Sequence, residues 1–278
     1  MRLVLFLVCL CFLPGPAWAG LTLTPAKVSN GDVAVLRWQG EPLSFGVVRF
    51  LDQIIYLYPD SEGAIALLPI GLDVQAGDYI LPVALVDRRG RTTMADIPLQ
   101  TRHKVRPLEH LTLPQNMVTP DAASLVRIDR ENKQLKELYA LRSPRLWTHF
   151  QRPVDEEVSS VFGKRRLLNG EPKSPHSGTD FRSPAGTPVR SLSSGRVVMV
   201  ADLFYTGKTV VVDHGEGLLS LYAHLSEVLV DEGRELTAGD TLGKVGSTGR
   251  STGAHLHLSV RLLDVRVDPL ALLAAFAE

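Results

Sequence analysis

The chain has 278 residues, 45% hydrophobic and 22% charged, which is enough for two domains with a core each. Thirty lysines and arginines balance thirty aspartates and glutamates, so net charge gives no general attraction to nucleic acid. Both cysteines, Cys9 and Cys11, sit near the N-terminus, which rules out a disulfide framework for everything that follows.

Residues 1–19 read as a secretory signal: Arg2 supplies the positive start, residues 3–13 are apolar, and Ala17-Trp18-Ala19 is a small-x-small cleavage site before Gly20. An apolar run of about eleven residues is too short to span a bilayer. Val8 ahead of Cys9 is not the small residue that a lipid anchor requires. Cleavage would deliver a chain without cysteine or membrane span to a periplasm or cell envelope, or outside the cell.

Residues 20–105 alternate short apolar stretches with turn signals. Stretches at 33–38, 47–50, 54–58, 64–68 and 79–86 are bounded by Asn30-Gly31-Asp32, Ala76-Gly77-Asp78 and Arg89-Gly90. This pattern predicts an immunoglobulin-like β-sandwich without its disulfide. Asp52, Asp60 and Asp73 have no histidine nearby and serve turns.

Residues 106–148 form a linker holding one long helix. Thr119 is the expected N-cap, with Pro120 at the first helical position, and the helix runs to about Leu141, before Ser143-Pro144. Leu125, Ile128, Leu135, Leu138 and Tyr139 mark its apolar stripe, interrupted by Asn132, which favours a helix docked on its own protein over a coiled coil.

Residues 149–278 carry the chemistry. Strand patterns at 195–200, 209–213, 218–222, 241–245 and 256–262 predict a mostly antiparallel sheet, walled by loops at 167–175 and 203–207. On a strand, His255 and His257 share one face while Leu256 and Leu258 enter the core. Upstream, His176 and Asp180 lie four apart in an extended segment containing Gly178. His224 ends the apolar run 218–223. Two imidazoles and one carboxylate are the right donors for a zinc site with an open position, and the residues alone leave open whether His255 or His257 faces the metal.

These motifs, His176-x-x-x-Asp180, then Tyr222-Ala223-His224-Leu225, then Thr252-Gly253-Ala254-His255-Leu256-His257, resemble the M23 family of zinc metallopeptidases, the LytM or lysostaphin type. The likeness runs from about residue 150 to 273 and includes Val161-Phe162-Gly163, Asp213-His214-Gly215 and Val267-Asp268-Pro269. It implies a C-terminal antiparallel β LytM-type peptidase domain, one Zn2+ held by His176, Asp180 and His257, and catalytic roles for His224 and His255. His214 is assigned a structural or groove-lining place. The resemblance further implies a zinc metalloendopeptidase acting on peptide cross-links or stem peptides of bacterial peptidoglycan. Its rival is a non-catalytic LytM-like regulator that binds the wall and activates an amidase. A structural zinc protein is the weakest reading, because closed sites use four ligands and often cysteine. Some family members are latent, so the N-terminal segment, with Asn116 or a helix residue, is a candidate for intramolecular occlusion of the site.

Overall fold

The computed structural model describes residues 20–277. The expected signal, with Cys9 and Cys11, lies outside the described residues. The chain groups into two compact units. One holds residues 20–23, Leu36–Ala66 and Leu81–Ile97; the other holds Thr24–Val35, Leu67–Ile80 and residues 98–277. The architecture is mainly β, and among the described residues no helix is long and apolar enough to cross a membrane.

Strands between residues 21 and 102 fall into two sheets. In spatial order the first contains Leu21–Thr24, Val33–Trp38, Gly63–Pro69 and Tyr58–Asp60. The second contains Lys27–Ser29, Thr92–Arg102, Gly77–Asp87, Leu43–Phe50 and Gln53–Tyr56. Period-two alternation is plain in Thr92–Arg102, where Ala95, Ile97, Leu99 and Thr101 are buried and Asp96 and Pro98 exposed. Leu36, Val48, Phe50, Ile65, Leu81 and Val83 form the core of the first unit.

The larger unit is built on a ten-stranded sheet. Its main path runs Val158–Ser160, Thr179–Phe181, Leu256–Leu262, Leu218–Val228, Gly207–Gly215, Gly195–Leu203 and Glu235–Leu236, and every pairing is antiparallel. Val267 ends the last strand; Asp268 then caps the short helix Pro269–Ala274, accepting from the Leu270 N–H at 3.0 Å.

Two expectations for this unit change. Residues 167–175, expected as a wall loop, contribute to a hairpin of Arg165–Leu168 and Glu171–Lys173. Its turn residues Asn169 and Gly170 have φ of 51° and 84°, so the Asn-Gly pair is a hairpin signal that the sequence did carry. Leu108–Leu111, expected as irregular linker, pairs parallel with Arg165–Leu168. Asn169 secures the junction: its side chain accepts from the Leu113 N–H and donates to the Leu113 carbonyl, both at 2.9 Å.

The long helix is Ala122–Tyr139, and its N-cap is Asp121, whose carboxylate accepts from the Ser124 N–H at 2.8 Å. Thr119, the expected cap, instead closes the preceding turn Gln115–Val118: its N–H donates to the Gln115 carbonyl and its hydroxyl accepts from the Gln115 amide. The helix docks on its own unit, as expected. Leu135, Leu138 and Tyr139 pack on Met199, Leu203, Val211, Leu219 and Leu221, whereas Leu125 and Asn132 face solvent. Glu131 is buried, accepting from Arg127 at 2.6 Å and from the Phe204 N–H at 2.8 Å, so the helix pins the 203–207 loop. Truncation of Leu138 to alanine removes apolar packing between helix and sheet. It should lower unfolding free energy by about 2 kcal/mol in denaturant titration, and an unchanged midpoint would mean that the helix contributes nothing to the unit's stability.

Candidate metal centre and groove

Strand register creates the first pair of the site. Asp180 and His257 are direct cross-strand partners, with Thr179 opposite Leu258 and Phe181 opposite Leu256. Leu256, Leu258 and Phe181 are fully buried, so the pleat that drives them into the core turns Asp180 and His257 together toward the other face. His257 Nδ1 lies 2.7 Å from Asp180 Oδ1.

His176 arrives from the segment before Thr179–Phe181. Gly178 permits its path: a Cβ there would collide with the Leu258 carbonyl and come within 2.8 Å of the His257 ring. His176 Nε2 lies 3.0 Å from Asp180 Oδ1 and 3.1 Å from His257 Nδ1. The three residues are buried, and their ligand atoms form one candidate metal cluster.

The donor set fits a cation. His176 Nδ1 is 3.0 Å from the Val161 carbonyl, which can only accept, so this nitrogen carries the ring proton and Nε2 presents a lone pair inward. A second imidazole nitrogen and a carboxylate oxygen face the same point. Burial by itself would raise the Asp180 carboxyl, but the facing ring nitrogens of His176 and His257, where they carry a proton in the absence of a cation, hold it well below its ordinary value through hydrogen bonds and charge. Burial lowers the His257 pKa against the opposing pull of Asp180. Neutral imidazoles around an ionised carboxylate are the protonation state in which these side chains ligate.

Support extends outward through Arg166, which contacts Asp180 Oδ2 at 3.4 Å and Glu109 at 3.1 Å. Lys164 also meets Glu109 at 3.1 Å. Burial pushes the Glu109 carboxyl up, but Lys164, Arg166 and Ser160 bring its pKa below the usual range. Sequence reasoning missed Glu109, because nothing in the local pattern around Leu108 says that this strand joins the 165–173 hairpin.

His224 and His255 stand beside the cluster, their ring centroids 4.7 Å apart. Both direct Nδ1 at a backbone carbonyl, His224 at Thr248 (2.7 Å) and His255 at Gly253 (2.9 Å), which leaves each Nε2 without a hydrogen-bond partner among the described residues. His255 Nε2 is 3.9 Å from Asp180 Oδ1. Burial first, then the neighbouring His257 and His255, push His224 down to about 3, so it is neutral at physiological pH. His224 has φ of 62°, rare for a residue with a Cβ. It sits where the ladder slips: Tyr222 pairs with Val210 but Leu225 with Lys208, leaving one extra residue in the His224 strand. The bulge re-aims the imidazole toward the cluster. The strand containing His257 begins at Leu256, while His255 lies just outside it, held by an isolated bridge to Gly246.

His214 belongs elsewhere. It is fully buried, donating from Nδ1 to the Ser194 carbonyl at 2.8 Å and accepting at Nε2 from the Ser220 hydroxyl at 2.7 Å. The network continues to Tyr222, whose hydroxyl accepts from the Leu192 N–H. Its place is structural.

A groove beside the cluster is lined by His224, His255 and His257 with Glu109, Arg166, Arg182 and Arg250. Leu111 and Leu113 of the N-terminal segment line it too. Among the described residues, no fourth protein ligand joins His176, Asp180 and His257.

A β-rich sheet that gathers two histidines and one aspartate at a groove offers the donor set of a candidate metal centre. A model described as Peptidase family M23 matches residues 174–269. A crystal structure from Pseudomonas aeruginosa, described as a candidate peptidase M23, is similar over 90% of this chain and 96% of its own, at 32% identity and a TM-score of 0.67. Peptidoglycan DD-endopeptidase ShyA of Vibrio cholerae is 46% identical over 112 residues, 39% of this chain and 26% of that protein. DD-carboxypeptidase/endopeptidase Mpg of Neisseria meningitidis is 33% identical over 144 residues, 51% of this chain and 31% of its own. This chain therefore spans less than a third of the length of these two curated relatives. The chain belongs to peptidase family M23.

Burial holds the His214 pKa at about 4, below its ordinary 6.5. Unfolded chain takes up a proton as pH falls through 6.5 while the folded chain does not, so this contribution to stability is full above pH 6.5 and is lost toward pH 4. The loss should be about 3 kcal/mol. Urea titrations at several pH values, with chelator present, should show a shallower pH slope in His214→Asn; an identical slope would place the acid sensitivity in another group.

Proposed function

We propose that this chain is an exported zinc metalloendopeptidase that hydrolyses peptide cross-links or stem peptides of bacterial peptidoglycan. The observation that carries this reading is the convergence of His176 Nε2, Asp180 Oδ1 and His257 Nδ1 on one point, with the free Nε2 atoms of His224 and His255 alongside. The names of the Vibrio and Neisseria relatives support peptidoglycan as substrate. Export rests on the signal-like residues 1–19.

In this reading His176, Asp180 and His257 hold the zinc. When bound, the ion supplies Lewis acidity toward the scissile carbonyl and lowers the pKa of a water. His224, neutral and with its Nδ1 proton held by Thr248, accepts a proton from the attacking water at Nε2. As an imidazolium it then returns that proton to the departing amine. His255, whose Nδ1 proton is held by the Gly253 carbonyl, donates from Nε2 as an imidazolium to the oxygen on which charge develops. Arg166 keeps the Asp180 carboxylate oriented from behind. An extended peptide lies in the groove, with the N-terminal segment 108–113 as a wall that narrows access. Residues 20–105 act as an immunoglobulin-like module appended to the peptidase domain at 149–278.

The amidase-regulator reading is less well supported, since ligands and both additional histidines are all present and mutually oriented. Metal analysis and mass spectrometry of muropeptides released from sacculi test the assignment together. His176→Ala, Asp180→Ala and His257→Ala should lose zinc and turnover. His224→Ala and His255→Ala should retain zinc while turnover drops roughly 10²–10⁴-fold. Tight stoichiometric zinc in His257→Ala would overturn the ligand set, and intact sacculi after incubation with zinc-loaded wild-type protein would overturn the activity.

A further inference from the structure

The groove has more positive charge than its own acids balance. Glu109 is taken by Lys164 and Arg166, and Asp180 by Arg166 and the histidines. Arg182 and Arg250 line the same groove, and neither meets a carboxylate among the described residues. Arg182 is exposed, where an unpaired guanidinium is well solvated. Arg250 is different: it is half-buried, and burial of a charge without a partner is unfavourable.

Its surroundings hold it in place without neutralising it. The guanidinium carbon lies 4.1 Å from the centre of the Tyr205 ring, and Nη1 donates to the Met117 carbonyl at 3.4 Å. The Arg250 N–H donates to the Tyr205 carbonyl at 2.8 Å, and the His255 N–H closes the neck of the 246–255 loop on the Gly246 carbonyl. At Gly249, φ is 69° and a Cβ would collide with the Gly207 backbone, so the two loops meet main chain to main chain. Thr248, two residues before Arg250, is the residue whose carbonyl fixes His224. One short loop therefore carries a rigid guanidinium, the anchor of His224, and His255.

We propose that Arg250 is a substrate-carboxylate receptor, making the enzyme selective for peptides that bear a free carboxylate on a residue flanking the scissile bond. The proposal rests on the peptidase reading above. Guanidinium suits this task because its planar fork pairs with a carboxylate through two parallel hydrogen bonds, a geometry that an ammonium cannot reproduce. A carboxylate seated there supplies the missing countercharge, and its place beside His224 and His255 fixes the peptide's register across them. Arg182, at the open edge of the groove, contributes longer-range attraction.

The test compares zinc-loaded wild-type and Arg250 variants on two synthetic cross-linked stem peptides, identical except that the carboxylates flanking the scissile bond are free in one and carboxamides in the other. Wild-type kcat/KM should favour the free acid roughly 10–100-fold. In Arg250→Gln that ratio should approach one, and Arg250→Lys should give an intermediate ratio. Zinc content and thermal midpoint of each variant establish that the metal centre and fold are retained. A ratio preserved in Arg250→Gln overturns the proposal and leaves Arg250 as a strut for the loop. Equal cleavage of both peptides by wild type also overturns it while the peptidase reading stands. Cleavage of neither overturns that reading and this proposal with it.

Discussion

Everything at the site depends on the register that sets Asp180 opposite His257. Because side chains alternate along a strand, a slip by one residue would send both into the core and bring Leu256 and Leu258 to the groove. Burial of Phe181, Leu256 and Leu258 therefore specifies the candidate metal centre as firmly as it stabilises the sheet. Hydrophobic packing here does the positioning, and the polar residues take the places left to them.

Around this pair the structure adds parts that deviate from regular geometry. His224 needs a bulge and a left-handed backbone, Gly178 a passage over an imidazole ring, and Gly207 with Gly249 a loop junction without side chains. Deviations of this kind concentrate where side chains must be aimed at one point, and stable sheet on either side can hold them. Helix Ala122–Tyr139 extends the same logic: Glu131 grips the 203–207 loop, whose Tyr205 in turn stacks on Arg250.

The sequence revealed the strands of the larger sheet through alternation, and the histidine motifs through their residue types and order. His176, Asp180 and His257 could be grouped only by a resemblance, since cross-strand pairing of residues 77 apart leaves no local trace. Thr119 was the wrong cap because two helices adjoin there, and Asp121 offers the stronger acceptor to the longer one. The 165–173 hairpin was legible in Asn169-Gly170, a signal outweighed by the prolines and charges around it. Leu108–Leu111 was not legible: a four-residue parallel strand at an edge takes its identity from its neighbour. Glu109 and Arg250 escaped notice for a related reason, as charged residues whose significance comes from which partners they meet or lack.

That edge strand changes what can be treated as a transferable piece. A boundary drawn at residue 149 follows the motifs, yet Glu109 neutralises Lys164 and Arg166 from upstream, and Leu135 and Leu138 cover one face of the sheet. Cutting the chain at that point would strand two cations behind the candidate metal centre and leave an oily surface bare to water. For engineering, the smallest self-sufficient module around the candidate site begins ahead of Leu108, with the apparent linker retained as part of its walls.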